Sequence, residues 1–482
     1  MRVLVIPLVN MRDLREDSSG QMWANVLKNL TKLADGKIWF YVVLPRGFDG
    51  YELFSEMSNV KLILEERKRK SYLLESDIVD YGTLVPLFNQ KDGVYPIDVV
   101  LTSKIGASLN IARALRDIRY EGSVPIVLIE DRAWSRSDTH QLIDECEFAV
   151  RSLAYSFFKT LTLTNLERDE IVDVAQIYLN DASLKKIKSN VMHQPLGVDS
   201  EMIDDIVKNT KKFDKFTCFW GGRFSAQKRI TFILKQYSWL FESGRDIDVL
   251  ITSSHSGIPP KLGETAEKIK ELMNRFKGMR VEFSVPRRKF IEYCAASHVW
   301  LSASMHEGYT VAHLEMGCTG VPGIVPRRPW SEEMFGNNYK LMYDAGSAVE
   351  AAGLLRWVYD NYADAMAIGE ETAKRLKETN KEIAFADKLM SILTEEVEKR
   401  IEQRLAVGES MMFTFEAVCD KLKDDFSLFD FMSVLKDFLI DKSFNQIDKP
   451  SLWDVRRWLL ENGYEETYKS EVPYFKKVVA DV

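Results

Sequence analysis

No run of about 18 consecutive apolar residues occurs in the chain, so no membrane-spanning helix is expected. Positive charge is not in excess either: 72 acidic residues face 65 basic ones, and the formal net charge is −7. Bulk electrostatics therefore does not announce a nucleic-acid binder, although a local basic cleft stays open. The five cysteines, Cys146, Cys218, Cys294, Cys318 and Cys419, form no CxxC pair and read as reduced thiols of a cytoplasmic protein. The opening residues Met1-Arg2-Val3-Leu4-Val5-Ile6-Pro7 are too short an apolar run for a leader and read as a first buried strand.

What is present is alternation. With 482 residues the chain has room for two or three cores. Strand-like runs recur at Val3–Val9, Trp39–Leu44, Val60–Leu64, Asp98–Thr102, Ile126–Ile129 and Thr160–Thr164, with helical stretches between several of them. A second series follows at Phe216–Trp220, Asp248–Thr252, Arg280–Phe283, Val299–Ser302, Gly323–Pro326 and Lys340–Tyr343. Strands alternating with helices predict two α/β units, each a doubly wound parallel sheet. Ligands in such sheets bind beyond the carboxyl ends of the strands. That rule makes Thr102-Ser103-Lys104, Glu130-Asp131-Arg132 and Thr164-Asn165 the cleft candidates of the first unit. The stretch Pro195-Leu196-Gly197-Val198-Asp199 breaks the pattern and reads as a hinge, with Asp199 as a helix N-cap. Ser347 with Glu350 three residues on reads as a capping box.

Two stretches carry chemistry. Phe216-Thr217-Cys218-Phe219-Trp220 runs into Gly221-Gly222-Arg223-Phe224-Ser225-Ala226-Gln227-Lys228, ahead of a helix from Ile230. A strand ending in Gly-Gly leaves backbone N–H groups suited to a phosphate, and Arg223 and Lys228 stand where they can neutralise a diphosphate. In the second stretch Glu307 precedes Gly308, Tyr309 and Thr310, and Glu315 follows about two turns into a helix. One carboxylate then faces a ligand at the helix start and the other can accept from a diol along the helix. A nucleotide sugar offers both partners. Singly, each of these residues would read as an ordinary surface charge.

The pair of motifs resembles the GT-B glycosyltransferases, and within them the retaining family GT4 (glycosyl transferases group 1). That family carries G-R-x4-K, then E-x7-E, then G-x-P; here these are Gly222-Arg223…Lys228, Glu307…Glu315 and Gly320-Val321-Pro322. The resemblance covers roughly residues 1 to 400 and includes the P-x-G-V-D hinge. It implies an acceptor-side domain over residues 1–197, a nucleotide-sugar domain over 198–375, return helices over 376–407 and a helical extension over 408–482. It implies a nucleotide-sugar donor, a UDP-sugar first, bound by Gly222, Arg223, Lys228, Val285, Glu307, Gly308, Tyr309, Thr310 and Glu315. Arg223 and Lys228 would stabilise the leaving diphosphate and Glu307 the sugar hydroxyls. No metal is strictly required: His306 and His313 flank the motif without a third ligand in reach. Asp131 lies where the family places a His or Asp near the reacting sugar, and a cap or a salt bridge with Arg132 is the plain alternative. Ser19 and Gly20 partly match the family's cleft-facing glycine loop, against an ordinary polar loop capping the next helix.

Two departures bear on the acceptor. Thr310 replaces a small residue, and the loop after Pro322 reads Pro326-Arg327-Arg328-Pro329-Trp330-Ser331-Glu332-Glu333. Arg327 and Arg328 beside Trp330 suit an anionic acceptor, and arginines with aromatics suit a nucleic-acid strand. The run Tyr309–Cys318 is also similar to part of the T-even phage DNA α-glucosyltransferases, which points to a hydroxymethylated base in DNA and to the cytoplasm of an infected host. A cell-envelope glycan is the other acceptor class. A non-catalytic binding protein on the same scaffold is the reading of a different class, and a sugar phosphorylase or epimerase a fourth. Residues 408–482, with 15 acidic and 10 basic residues, read as short amphipathic helices that buttress the fold or contact a partner or second subunit.

Overall fold

The computed structural model describes residues 1–7, 9, 13–15, 18–65, 81–88, 97–103, 105, 108–109, 111–112, 124–130, 145–224, 226–253, 257–258, 263–305, 307, 310–419, 422, 425–427, 430–431, 459–461, 464–469 and 472–477. Asp131, Lys104, His306, Gly308 and Tyr309 lie outside the described residues.

Among the described residues, seven parallel strands form the first sheet: β1 (Arg2–Ile6), β2 (Trp39–Pro45), β3 (Val60–Glu65), β4 (Val99–Thr102), β5 (Ile126–Glu130), β6 (Lys159–Thr162) and β7 (Val191–His193), in the order β3-β2-β1-β4-β5-β6-β7. Six more form the second: β8 (Phe216–Gly221), β9 (Ile247–Thr252), β10 (Met279–Glu282), β11 (Val299–Leu301), β12 (Gly323–Arg327) and β13 (Met342–Asp344), in the order β10-β9-β8-β11-β12-β13. Each order starts at a central strand, runs to one edge and resumes on the other side, which is the doubly wound topology the alternation predicts. The strands are near-continuous in Val, Ile and Leu because both faces are covered.

The helices that matter to the site are α1 (Ser18–Ala34), α2 (Asn165–Tyr178), α3 (Ser200–Asn209), α4 (Ile230–Glu242), α5 (Arg287–Ala296), α6 (Val311–Cys318), α7 (Pro329–Phe335), α8 (Ala348–Asp360), α9 (Tyr362–Thr379) and α10 (Glu382–Cys419). Trp23, Leu27 and Leu30 of α1 bury one face of the first sheet. Phe385, Leu389 and Leu393 of α10 join them in the same core, although they follow the whole second sheet in sequence. The chain thus crosses between the sheets twice. The two crossings touch: Val198 N–H donates to Asn380 O at 2.9 Å, and Val198 pairs with Lys381 as an isolated parallel bridge.

Side-chain caps start four of these helices: Thr164 for α2, Asp199 for α3, Thr310 for α6 and Ser347 for α8. Asp199 accepts from Met202 N at the start of α3, and Ser347 accepts from Glu350 N at the start of α8. The expected capping box at Ser347 is only half made, since Glu350 accepts from Asp344 N–H instead. Helix α1 begins at Ser18, so Ser19 and Gly20, expected in a loop, lie in its first turn. Beyond α10 the chain is not wholly helical. β14 (Asp425–Ser427), β15 (Tyr464–Lys469) and β16 (Val472–Lys477) form a small antiparallel sheet ordered β14-β16-β15, where helical spacing had been read around Phe426. Among the described residues no helix is long and apolar enough to cross a membrane.

Candidate functional site

The carboxyl ends of β8, β9, β11 and β12 in the second sheet bring the motif residues together. After β8 the chain makes a 3-10 turn at Ala226–Lys228, then Arg229 in left-handed conformation, then α4. Met305 N–H donates to Gln227 O at 3.1 Å and ties the segment after β11 to this turn. That tie places Lys228 Nζ on Glu307 Oε1 as an ion pair, with side chains only 12% and 9% exposed. Burial raises the Glu307 carboxyl, but the adjacent Lys228 ammonium and hydrogen bonds outweigh it and hold the carboxyl below its ordinary value. Glu307 is therefore an anion here, an acceptor only. Arg223 is exposed on the same edge, one residue after β8 and Gly222. The N–H of Gly222, expected to face a phosphate, is instead donated to Thr252 O at 3.1 Å, which corrects the reading of an open backbone donor there.

Thr310 is the N-cap of α6, and its hydroxyl accepts from His313 N. The same hydroxyl lies 2.7 Å from His313 Nδ1. The imidazole packs 4.9 Å from the Trp330 ring and 5.8 Å from Trp300. Burial, then the Lys228 charge, push its pKa down to about 3, so the ring is neutral. Thr310 thus serves local structure, where glycine or alanine would supply no side-chain oxygen to cap α6.

Glu315, on α6, is buried with its carboxylate on Arg287 of α5, at 2.6 Å from Nε and 2.5 Å from Nη2. Burial pushes the Glu315 carboxyl up, and the guanidinium offsets only part of that. Arg287 also spans the cleft: with the Asn25 amide turned to present its oxygen, Asn25 of α1 accepts from Nη1 at 2.9 Å and Nη2 at 3.2 Å. A second contact across the cleft is Glu333 of α7, which accepts from Asn165 N–H at 2.5 Å and Leu166 N–H at 3.0 Å at the start of α2. Val285 follows β10, with its N–H on Ser253 O at 3.3 Å, between Ser284 at φ 49° and Pro286.

The first sheet's strand ends are largely engaged in packing. Thr102 donates to Ile6 O, Ser103 accepts from Trp23 Nε1, and buried Glu130 accepts from Tyr155 at 2.5 Å and pairs with Arg151 at 3.3 Å. Arg327 is exposed between Glu332 and Asp344, whereas Arg328 is half-buried at the start of α7. Asn25, Glu333 and Arg229 gave no signal in the sequence, because each acts through a partner more than fifty residues away.

Neither protein-family models nor curated proteins give a match to this sequence. Solved structures do. Sucrose-phosphate synthase from Thermosynechococcus elongatus superposes with a TM-score of 0.58 at 11% identity, over 82% of this chain and 98% of that one. HepE of Anabaena, solved with UDP and glucose, gives 0.58 at 11%, over 82% and 99%. A glycosyltransferase from Rickettsia africae gives 0.60 at 13%, over 82% and 98%. The fold is GT-B. At these identities the likeness is one of fold alone. In a GT-B chain the cleft between the sheets is bounded by strand ends, and the Lys228–Glu307 pair and the Arg287–Glu315 pair both lie at those ends in the second sheet.

Proposed function

We propose that the chain is a GT4-like glycosyltransferase that moves a sugar from a UDP-sugar to an acceptor hydroxyl with retention of configuration. The observation that carries this reading is the buried Lys228–Glu307 pair at the strand ends, beside the N-terminus of α6. UDP as the nucleotide is supported by HepE, solved with UDP-glucose as well. Residues 198–375 act as the donor domain and 1–197 as the acceptor side, with 376–407 returning to the first sheet and 408–482 as an extension.

Lys228, held on one side by Glu307, keeps two N–H donors for the diphosphate, and exposed Arg223 reaches it from the edge. The bond between the anomeric carbon and the diphosphate oxygen breaks, a bond to the acceptor oxygen forms, and the acceptor proton leaves with the diphosphate. Glu307 accepts from sugar hydroxyls. Glu315 accepts from the ribose diol by sharing its oxygens with Arg287, and Gly222, Val285, Gly308, Tyr309 and Thr310 shape the donor pocket. Ser19, Gly20, Arg327 and Arg328 line the acceptor side, and Asp131 is the remaining catalytic candidate. A hydroxymethylated DNA base is the acceptor.

The test is thermal melting with UDP, GDP and ADP on wild type, Lys228→Ala and Glu315→Ala. UDP should raise the melting temperature of wild type by mass action and shift both variants less. UDP-glucose with hydroxymethylated duplex DNA should then yield glucosylated base. If no nucleotide shifts the wild type, the donor reading fails and a binding scaffold replaces it. If UDP shifts it but DNA is not modified, the acceptor is a glycan.

A further inference from the structure

Among the described residues, two guanidinium groups next to the Lys228–Glu307 pair have no carboxylate partner. Arg229 stands between the 3-10 turn and α4 at φ 47°, a conformation that carries a steric cost for any residue with a Cβ. The guanidinium lies over the Phe232 ring at 5.2 Å, and Phe232 stacks on Tyr343 with centroids 5.9 Å apart and planes within 8°. Arg328 comes from the other side, between β12 and α7. Arg229 Nη1 is 3.3 Å and Arg328 Nη2 is 3.7 Å from one atom, Met305 Sδ.

Two like charges are thus held at a single thioether, a weak acceptor that cannot satisfy either. Arg328 Nε is buried without a hydrogen-bond partner. Among the described residues no carboxylate pairs with Arg229 or Arg328, while Arg327 next door has both Glu332 and Asp344. The nearby acids are thus spent on the exposed arginine and withheld from the half-buried pair. Half-buried like charges that converge without a counter-ion repel one another, and an anion between them relieves that repulsion. Two guanidinium forks suit a tetrahedral oxyanion, which can accept two bonds from each.

We propose that Arg229 and Arg328, backed by Met305 and the Phe232–Tyr343 shelf, form a second oxyanion site for a phosphate group carried by the acceptor. Its assignment to the acceptor rests on the glycosyltransferase reading, in which Arg223 and Lys228 take the donor's diphosphate. On the DNA acceptor proposed above the phosphate is a backbone diester; a monoester on a small sugar offers the same recognition chemistry, and the competitors below separate the two.

The probe is inorganic phosphate, titrated calorimetrically into the full chain with UDP at saturation and again without it. Phosphate should bind in both conditions. Arg229→Asn, which suits the left-handed backbone, and Arg328→Gln should each weaken it at least about ten-fold. Arg328→Lys should recover part of the loss, and Lys228→Ala should weaken UDP but spare phosphate. Phosphate that binds only when UDP is absent, binds both variants as tightly as wild type, or does not bind at all overturns the site. Should Arg328→Gln fail to fold, Arg229→Asn decides alone. If UDP itself does not bind, the donor reading fails while the variant titrations without UDP still judge the pair. Glucose 6-phosphate and a short single-stranded oligonucleotide, as competitors of phosphate, separate the two sources. Competition by neither overturns the link to the acceptor.

Discussion

His313 packs against two indole rings and near an ammonium, and both features oppose its protonation. Its pKa falls from an ordinary 6.5 to about 3 in the fold. Below pH 6.5 the unfolded chain takes up a proton that the folded chain refuses, so this stability is full above pH 6.5 and is lost as the pH falls toward 3. Relative to His313→Asn, wild type should lose about 2–3 kcal/mol between pH 7.5 and pH 4.5. Denaturant unfolding at those pH values reads the difference; parallel pH dependences for the two proteins would sink the idea. Motif spacing made Lys228, Glu307 and Glu315 legible as a group. It could not show that Glu315 is already held by Arg287, or that Arg229 meets Arg328 at Met305, because those facts depend on which side chains meet across loops.

Two helix starts were legible from local signals: Asp199 and Ser347 each cap the helix that follows by an oxygen reaching a backbone N–H three residues on. Thr310 caps α6 in the same way, although its sequence context pointed to the donor instead. The small C-terminal sheet was not legible. Its strands are three to six residues long, and Pro473, which argues against a strand, sits near the start of the middle one, where a missing N–H is tolerated. Packing between elements also reverses a propensity. Gly369 lies inside α9, where Ala is normally favoured by about 1 kcal/mol. Its added Cβ would meet Gly320 O at 2.2 Å, and backbone cannot yield as a side chain can. We expect Gly369→Ala to destabilise by about 1–3 kcal/mol. Gly353→Ala in α8, facing open space, should instead stabilise by up to about 1 kcal/mol. Melting shifts of the same sign for both would refute this account.

At the scale of the whole molecule the two crossings between sheets act as one joint. Gly197 is required because the returning chain passes directly over it: an added Cβ would lie 2.0 Å from Glu382 Cα and 2.6 Å from Glu382 N. Gly197→Ala must therefore separate the crossings and strain the Val198–Asn380 hydrogen bond. We expect a loss of about 2 kcal/mol or more and new proteolytic cleavage near residues 195–199 and 380–382. Unchanged stability with an unchanged digest would show that the joint does not depend on this contact. Asn25–Arg287 and Glu333 with the start of α2 hold the cleft at two further points.

Periodicity and turn chemistry specify the strands of the two parallel sheets, the helix starts at Asp199 and Ser347 and the break at residues 195–199, since each depends on residues a few positions apart. Motif order even selects the strand ends that carry the candidate site. Long-range packing chooses the rest: that α10 returns to the first core, that Gly197 faces Glu382, that Glu315 pairs with Arg287, and that Arg229 and Arg328 meet at Met305. The reason is physical. Backbone preference and hydrophobic alternation act locally, whereas a buried charge takes its partner from whatever the folded layers bring within about 3 Å.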